Sequence, residues 1–207
     1  VCAIYSTFLQ RGFDQMVHDV ALQGLPVTFV LDRGGVVGED GPTHHGVYDM
    51  TYLRAFPHMV IMSPMDENEL QHMLHTAIEH PGPAAVRYPR GGGVGVPLDE
   101  AFRRLEIGKG EILRDGGHVA LLAIGKTVHP SLEAAAVLAE EGIEATVVNM
   151  RFAKPVDAEI IQRLARGVRR LITLEDHTLP GGFGSAVLES LADQGLLRNT
   201  RVLRLGI

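Results

Sequence analysis

Residues 27–46 read VTFVLDRGGVVGEDGPTHHG. Val27 to Leu31 form a strand-like apolar run, and the fifteen residues from Asp32 to Gly46 are the most polar and glycine-dense segment of the first half. In open parallel sheets ligands bind in the crevice beyond the carboxyl ends of the strands, so a strand running straight into such a loop marks both a fold and a candidate site. Working outward, VCAIY (1–5), MVIM (59–62) and AAV (84–86) read as further strands, with helical stretches between most of them. The clearest helix runs from about Asp66 to Glu79. Leu70, Met73, Leu74, Ala77 and Ile78 fall on one helical face, and Asp66 with Glu69 has the spacing of a capping box. Strands alternating with helices predict βα units and parallel sheets.

A Gly- and Pro-rich segment, PRGGGVGVP (89–97), is followed by a charged stretch without strong periodicity up to about Lys109, which predicts a domain boundary. The same alternation then resumes: VALLAIG (119–125), a helix near 130–141, ATVVNM (145–150), a helix opened by Pro155, RRLITLE (169–175), a helix from about Phe183 and RVLRL (201–205). The expectation is α/β throughout, in two parallel-sheet domains at 1–98 and 99–207, each with its own core. Val1 to Tyr5 read as a strand already in progress and the chain stops just after another, so both domains are expected to be truncated at their outer ends.

Composition narrows the function. With 45% hydrophobic and 21% charged residues, the 207-residue chain can build a packed core. Nineteen Lys and Arg against 25 Asp and Glu, a net charge of −6, leave no broad basic face for nucleic acid. Arg163, Arg166, Arg169 and Arg170 accordingly read as a solvated face. Cys2 is the single cysteine, which excludes an internal disulfide and a cysteine-rich zinc site. No apolar run reaches the roughly 18 residues of a membrane span, and a cytoplasmic location is expected.

Within Asp32–Gly46, the glycines permit positive φ and close approach to a ligand, while Arg33, Glu39, Asp40, Thr43, His44 and His45 supply charge and a titrating imidazole. Arg87-Tyr88-Pro89-Arg90-Gly91 is a second cluster past a strand, where Arg90 can offer its planar fork to a phosphate or carboxylate. Tyr5-Ser6-Thr7-Phe8, leading to Arg11, is a third. Taken singly, each equally suits an ordinary surface loop, an arginine pair capping a strand, or a core phenylalanine. The glycine-rich turn Pro180–Ser185 reads as a place of close packing or subunit contact rather than an anion cradle.

In their order along the chain these segments resemble one family. IYSTFLQR, LDRGGVVGEDGPTHHG, YLRAFPHMVIMSPMDENEL and VRYPRG look like the pyrimidine-binding domain of 1-deoxy-D-xylulose 5-phosphate synthases, thiamine-diphosphate enzymes of the transketolase type. MRFAKPVD and LPGGFGS look like the C-terminal domain of the same enzymes. The resemblance implies a homodimeric, magnesium-dependent transferase that joins pyruvate to D-glyceraldehyde 3-phosphate with loss of carbon dioxide. Its product opens the non-mevalonate route to isoprenoid precursors and also serves thiamine biosynthesis. It further implies that Phe8 stacks on the cofactor pyrimidine and that Tyr5, Arg33 and Arg90 hold the acceptor phosphate. His44, Asp40 and Arg11 match the catalytic pocket.

The acid that activates the aminopyrimidine is implied to precede Val1. The diphosphate and Mg2+ site is implied to lie in an earlier domain, since Gly38-Glu39-Asp40-Gly41 is not that motif and this chain offers no metal ligands. Two other functions fit the same residues: another transketolase-like enzyme, such as a ketol transferase or an oxoacid dehydrogenase beta subunit, and a non-catalytic assembly module. Convergence of Arg33, Asp40, His44 and Arg90 on one cleft would favour an enzyme.

Overall fold

The computed structural model describes residues 1–207. β1 (Cys2–Tyr5) runs into an irregular helical stretch made of α1 (Ser6–Leu9), a 3-10 turn (Gln10–Gly12), α2 (Phe13–Gln15) and a π-helical segment (Met16–Ala21). β2 (Thr28–Asp32), α3 (Asp49–Arg54), β3 (Val60–Met62), α4 (Glu67–Glu79) and β4 (Ala84–Arg87) complete the first half. The second half holds β5 (Glu111–Arg114), β6 (Val119–Ala123), α5 (Val128–Glu140), β7 (Ala145–Asn149), β8 (Phe152–Lys154), α6 (Ala158–Gly167), β9 (Arg170–Leu174), α7 (Phe183–Asp193) and β10 (Arg201–Leu205).

Two five-stranded sheets result, ordered β1-β2-β4-β3-β8 and β10-β9-β6-β7-β5. Each is parallel except for one antiparallel edge strand, β8 against β3 and β5 against β7. Sequence periodicity did not reveal these two edge strands, because they are only three and four residues long and mix charged with apolar side chains. The β8 pairing has a larger consequence: a strand from the second half completes the sheet of the first.

The two halves do not keep separate main cores. Phe29, Leu31, Met50, Leu53 and Phe56 belong to the same buried cluster as Ile124, Met150, Phe183 and Leu191. A smaller cluster around Leu121, Ala135, Ala145 and Val147 is the second half's own. This corrects the expectation of two independent cores. The physical reason lies in MRFAKPVD, whose residues clasp the halves together. Phe152 is fully buried in β8 beside Met62 and Met73, Arg151 Nε donates to Glu69 (2.7 Å), and Lys154 Nζ donates to the Arg54 carbonyl (2.8 Å). Asp157, rather than Pro155, opens α6, its carboxylate accepting from the Glu159 and Ile160 amides. Asp66 caps α4 through the Glu69 amide, but the Glu69 carboxylate reaches back to the Met65 amide (2.8 Å), one residue earlier than a capping box requires.

Candidate active site at three adjacent strand ends

Strand order assembles the site. β1 and β4 flank β2 in parallel, so their carboxyl ends lie side by side, with Tyr5 opposite Asp32 and Leu31 opposite Arg87. Neighbouring strands are roughly 4.8 Å apart. Side chains leaving these three ends therefore reach one another without long loops.

Arg33 is the hub. It adopts φ 61, a region that non-glycine residues seldom occupy, and its amide donates to Asp32 Oδ1 (2.6 Å). Its guanidinium donates to Asp40 Oδ2 and Asp32 Oδ2, both at 2.6 Å, and lies 3.9 Å from the centre of the Tyr5 ring. Arg90 Nε reaches the same Asp40 oxygen at 3.1 Å, with Glu39 3.8 Å from its other end. One carboxylate oxygen therefore bridges two arginines from different strand ends. The hydrogen bond to Asp40 raises the Arg33 pKa, and the reciprocal bond, with Arg90 close by, holds the Asp40 carboxyl below its usual range.

Aromatic rings continue the cluster. Phe8 stacks on Tyr5 with centroids 5.1 Å apart and remains half exposed. The His44 ring meets Phe8 edge-on at 5.6 Å and Tyr5 at 6.3 Å, and its Nδ1 is 3.1 Å from the Thr43 hydroxyl. Tyr5, Phe8, Arg33, Asp40, His44 and Arg90 are thus brought together. Arg11 lies exposed on the 3-10 turn after α1, and no hydrogen bond or ion pair joins it to the other six. His45 braces the loop, its Nδ1 accepting from the Val37 amide (3.1 Å).

A cleft of about 600 Å³ opens beside the arginines, lined by Asp32, Arg33, Tyr88 and Arg90 from the first half and by Lys126 from the second. Tyr5, Phe8 and His44 lie outside it, so Arg33 is the member common to cleft and aromatic cluster. No three His, Cys, Asp or Glu side chains gather into a group that would hold a metal ion.

Beneath the site lies a set of charges that sequence reasoning missed. Asp49 is fully buried and accepts from the Ser6 hydroxyl (2.9 Å) and from Arg87 Nε (3.0 Å). His177, also fully buried, places Nε2 3.4 Å from Asp49 Oδ1. Burial alone would push the Asp49 carboxyl up, but Arg87 and His177 outweigh it and hold the group well below the usual carboxylate range. Burial dominates at Glu175, raising its pKa although it accepts from the Phe183 and Gly184 amides. The N-terminus of α7 is therefore occupied by the protein's own carboxylate, and the glycines at 182 and 184 are sites of close packing, as their sequence suggested. Neither Asp49 nor His177 carries a sequence signal of burial. Each stands among polar or mixed neighbours, and only the fold removes them from water.

Two mostly parallel five-stranded sheets with helices, clasped together through β8, are the fold of the transketolase domains that the chain matches. Residues 1–93 match the family described as the transketolase pyrimidine binding domain and residues 108–207 the transketolase C-terminal domain. That pyrimidine domain implies thiamine diphosphate. A solved chain described as a split gene transketolase, an inactive beta4 tetramer, superposes with a TM-score of 0.87 at 30% identity, covering 99% of this chain and 65% of that one.

The chain belongs to the transketolase family, and within it to the 1-deoxy-D-xylulose-5-phosphate synthases, whose C-terminal portion it matches. It is 63% identical over 207 residues to 1-deoxy-D-xylulose-5-phosphate synthase 1 of Geobacter sulfurreducens and 59% identical to the synthase of Syntrophus aciditrophicus. All of this chain is covered in both comparisons, and it spans about a third (32%) of each relative's length.

Proposed function

We propose that the full protein to which this chain belongs joins pyruvate to D-glyceraldehyde 3-phosphate, with loss of carbon dioxide, to give 1-deoxy-D-xylulose 5-phosphate. This chain supplies the pyrimidine wall and the acceptor-phosphate end of the site. The observation that carries the reading is the meeting of Arg33 and Arg90 on one carboxylate, Asp40, at a sheet edge of the pyrimidine-binding type. Two guanidinium forks that share one carboxylate oxygen are spaced to share one phosphate. Asp40 and the acceptor phosphate compete for the same forks, so acceptor binding turns the Asp40 carboxylate toward the substrate hydroxyls.

Tyr5 supports Arg33 from below through its ring face. The exposed face of Phe8 stacks on the cofactor's pyrimidine, and His44, edge-on to both rings, moves protons at the donor and acceptor oxygens. Arg11 provides a neighbouring cation in the substrate pocket. Thiamine diphosphate, when bound, supplies the carbon–carbon bond chemistry. Its diphosphate and Mg2+ are held by residues outside this chain. The domain division at 98/99, a homodimer and a cytoplasmic location belong to the same reading. No helix here is long and apolar enough to cross a membrane.

The test uses the full-length protein with thiamine diphosphate, Mg2+, pyruvate and D-glyceraldehyde 3-phosphate, with products identified by mass spectrometry. Stoichiometric carbon dioxide and 1-deoxy-D-xylulose 5-phosphate are expected. Ketol transfer from a ketose phosphate, without pyruvate consumption, would overturn the reading in favour of a ketol transferase.

A further inference from the structure

Three segments carry the candidate site residues, and all three are tied to one buried carboxylate. Ser6, between Tyr5 and Phe8, donates to Asp49 Oδ2 at 2.9 Å. Arg87, three residues before Arg90, donates Nε to the same oxygen at 3.0 Å. The Arg87 NH2 group donates to the Gly46 carbonyl (3.0 Å), and its guanidinium packs so closely on Gly34 that a Cβ there would lie 3.1 Å away. Gly35 and Gly46 pair backbone to backbone at 2.7 and 2.9 Å, so Arg87 grips the neck of the loop that bears Arg33, Asp40 and His44. None of Ser6, Asp49, Arg87 or His177 lines the cleft.

The second half closes this arrangement through residues 175–177. His177 Nδ1 lies 2.9 Å from the Thr178 carbonyl, and its Nε2 shares the Met50 amide (3.1 Å) with Asp49 Oδ1 (2.7 Å), which it approaches to 3.4 Å. Next to it, the Asp176 carbonyl accepts from Arg87 (3.3 Å) and its side chain accepts from the Val36 amide (3.1 Å). A buried carboxylate cannot reorient toward water when a partner is lost, so the geometry that satisfies all its partners also sets where the three strand ends stand.

We propose that His177 is a positioning residue for acceptor recognition: through Asp49 and Arg87 it sets the mutual placement of Arg33 and Arg90, so that a buried residue of the C-terminal half governs preference for a phosphorylated acceptor without itself touching it. The inference rests on the reading of Arg33 and Arg90 as the acceptor-phosphate site.

The test compares kcat/KM for D-glyceraldehyde 3-phosphate with that for unphosphorylated D-glyceraldehyde, in the full-length protein, for wild type, Arg33→Ala, His177→Ala, His177→Gln and Ser6→Ala, with Tm recorded for each. His177→Ala and Ser6→Ala are expected to lower the ratio of the two constants about tenfold while the pyruvate KM stays constant. His177→Gln, whose side-chain carbonyl reaches the position of Nε2 and can still accept from the Met50 amide, is expected to recover most of it. A purely structural role would lower both acceptors equally and leave the ratio at its wild-type value, which overturns the proposal. If His177→Ala does not fold, the ratio in Ser6→Ala decides alone. A wild-type enzyme that makes no product from these substrates overturns the functional reading and this inference together. If Arg33→Ala loses the phosphate preference while the His177 and Ser6 variants keep it, only the inference fails.

Discussion

Arg33 and Arg90 share Asp40 but come from different strands, so removing either should leave one fork unable to hold a dianion in register. Arg33→Ala or Arg90→Ala in the full protein is expected to raise the acceptor KM by about tenfold or more, with a much smaller change for pyruvate, as steady-state kinetics on each substrate will show. His44 is argued to move protons, so His44→Ala should lower kcat by about 10²- to 10⁴-fold while cofactor affinity, read by calorimetry, changes little. Near-wild-type turnover would make it an ordinary loop histidine.

Asp49 gives a prediction about stability. Its folded pKa lies below the unfolded value of about 3.9, so the stability it contributes is complete above that pH and is lost as pH falls below it toward the folded pKa. Asp49→Asn leaves Arg87 buried without its anion and is expected to cost about 3–5 kcal/mol at pH 7. Denaturant unfolding of this chain should show the difference from wild type shrinking below about pH 4. A difference independent of pH would mean that the carboxylate charge does not matter there.

Among the elements, the loop between β2 and α3 is held shut at its neck by close backbone contact. A Cβ at Gly46 would lie 2.2 Å from the Arg33 carbonyl oxygen and 2.6 Å from the Ser6 Cβ, and backbone cannot yield as a flexible side chain can. Gly46→Ala is therefore expected to cost about 1–3 kcal/mol, read as a fall in Tm of about 2–4 °C for each kcal/mol. Because the shift falls on Arg33, acceptor affinity should drop with it. A variant with unchanged Tm and acceptor KM would show that the neck tolerates opening.

For the whole molecule, the joint core and the β8 clasp allow the 207 residues to fold as one body, yet the chain spans only 32% of the relatives it matches. Expressed alone, it is expected to fold, to lack synthase activity and to bind thiamine diphosphate weakly, since a diphosphate cofactor is anchored largely through its metal and phosphates. Calorimetric titration with cofactor and Mg2+, run beside a pyruvate decarboxylation assay, checks it. Tight Mg2+-dependent binding with turnover by this chain alone would relocate the diphosphate site into these residues.

The sequence by itself determined the local grammar. VTFVL, expected as a strand over 27–31, is the strand Thr28–Asp32, and the helix expected over 66–79 is Glu67–Glu79 with Asp66 as its cap. Short-range periodicity and capping are properties of neighbouring residues, so they can be read in one dimension. The loop Asp32–Gly46 was likewise legible as a candidate site from its density of glycine and charge. Tertiary structure alone decided that β1, β2 and β4 are neighbours, which brings Tyr5, Arg33 and Arg90 to one place, and that β8 crosses to the other half's sheet. It also decided that Asp49, Arg87 and His177 are buried while Arg11 and Arg90 are not. Strand order and burial depend on contacts between residues far apart in the chain, and the same charged side chain reads identically in sequence whether the fold leaves it in water or closes over it.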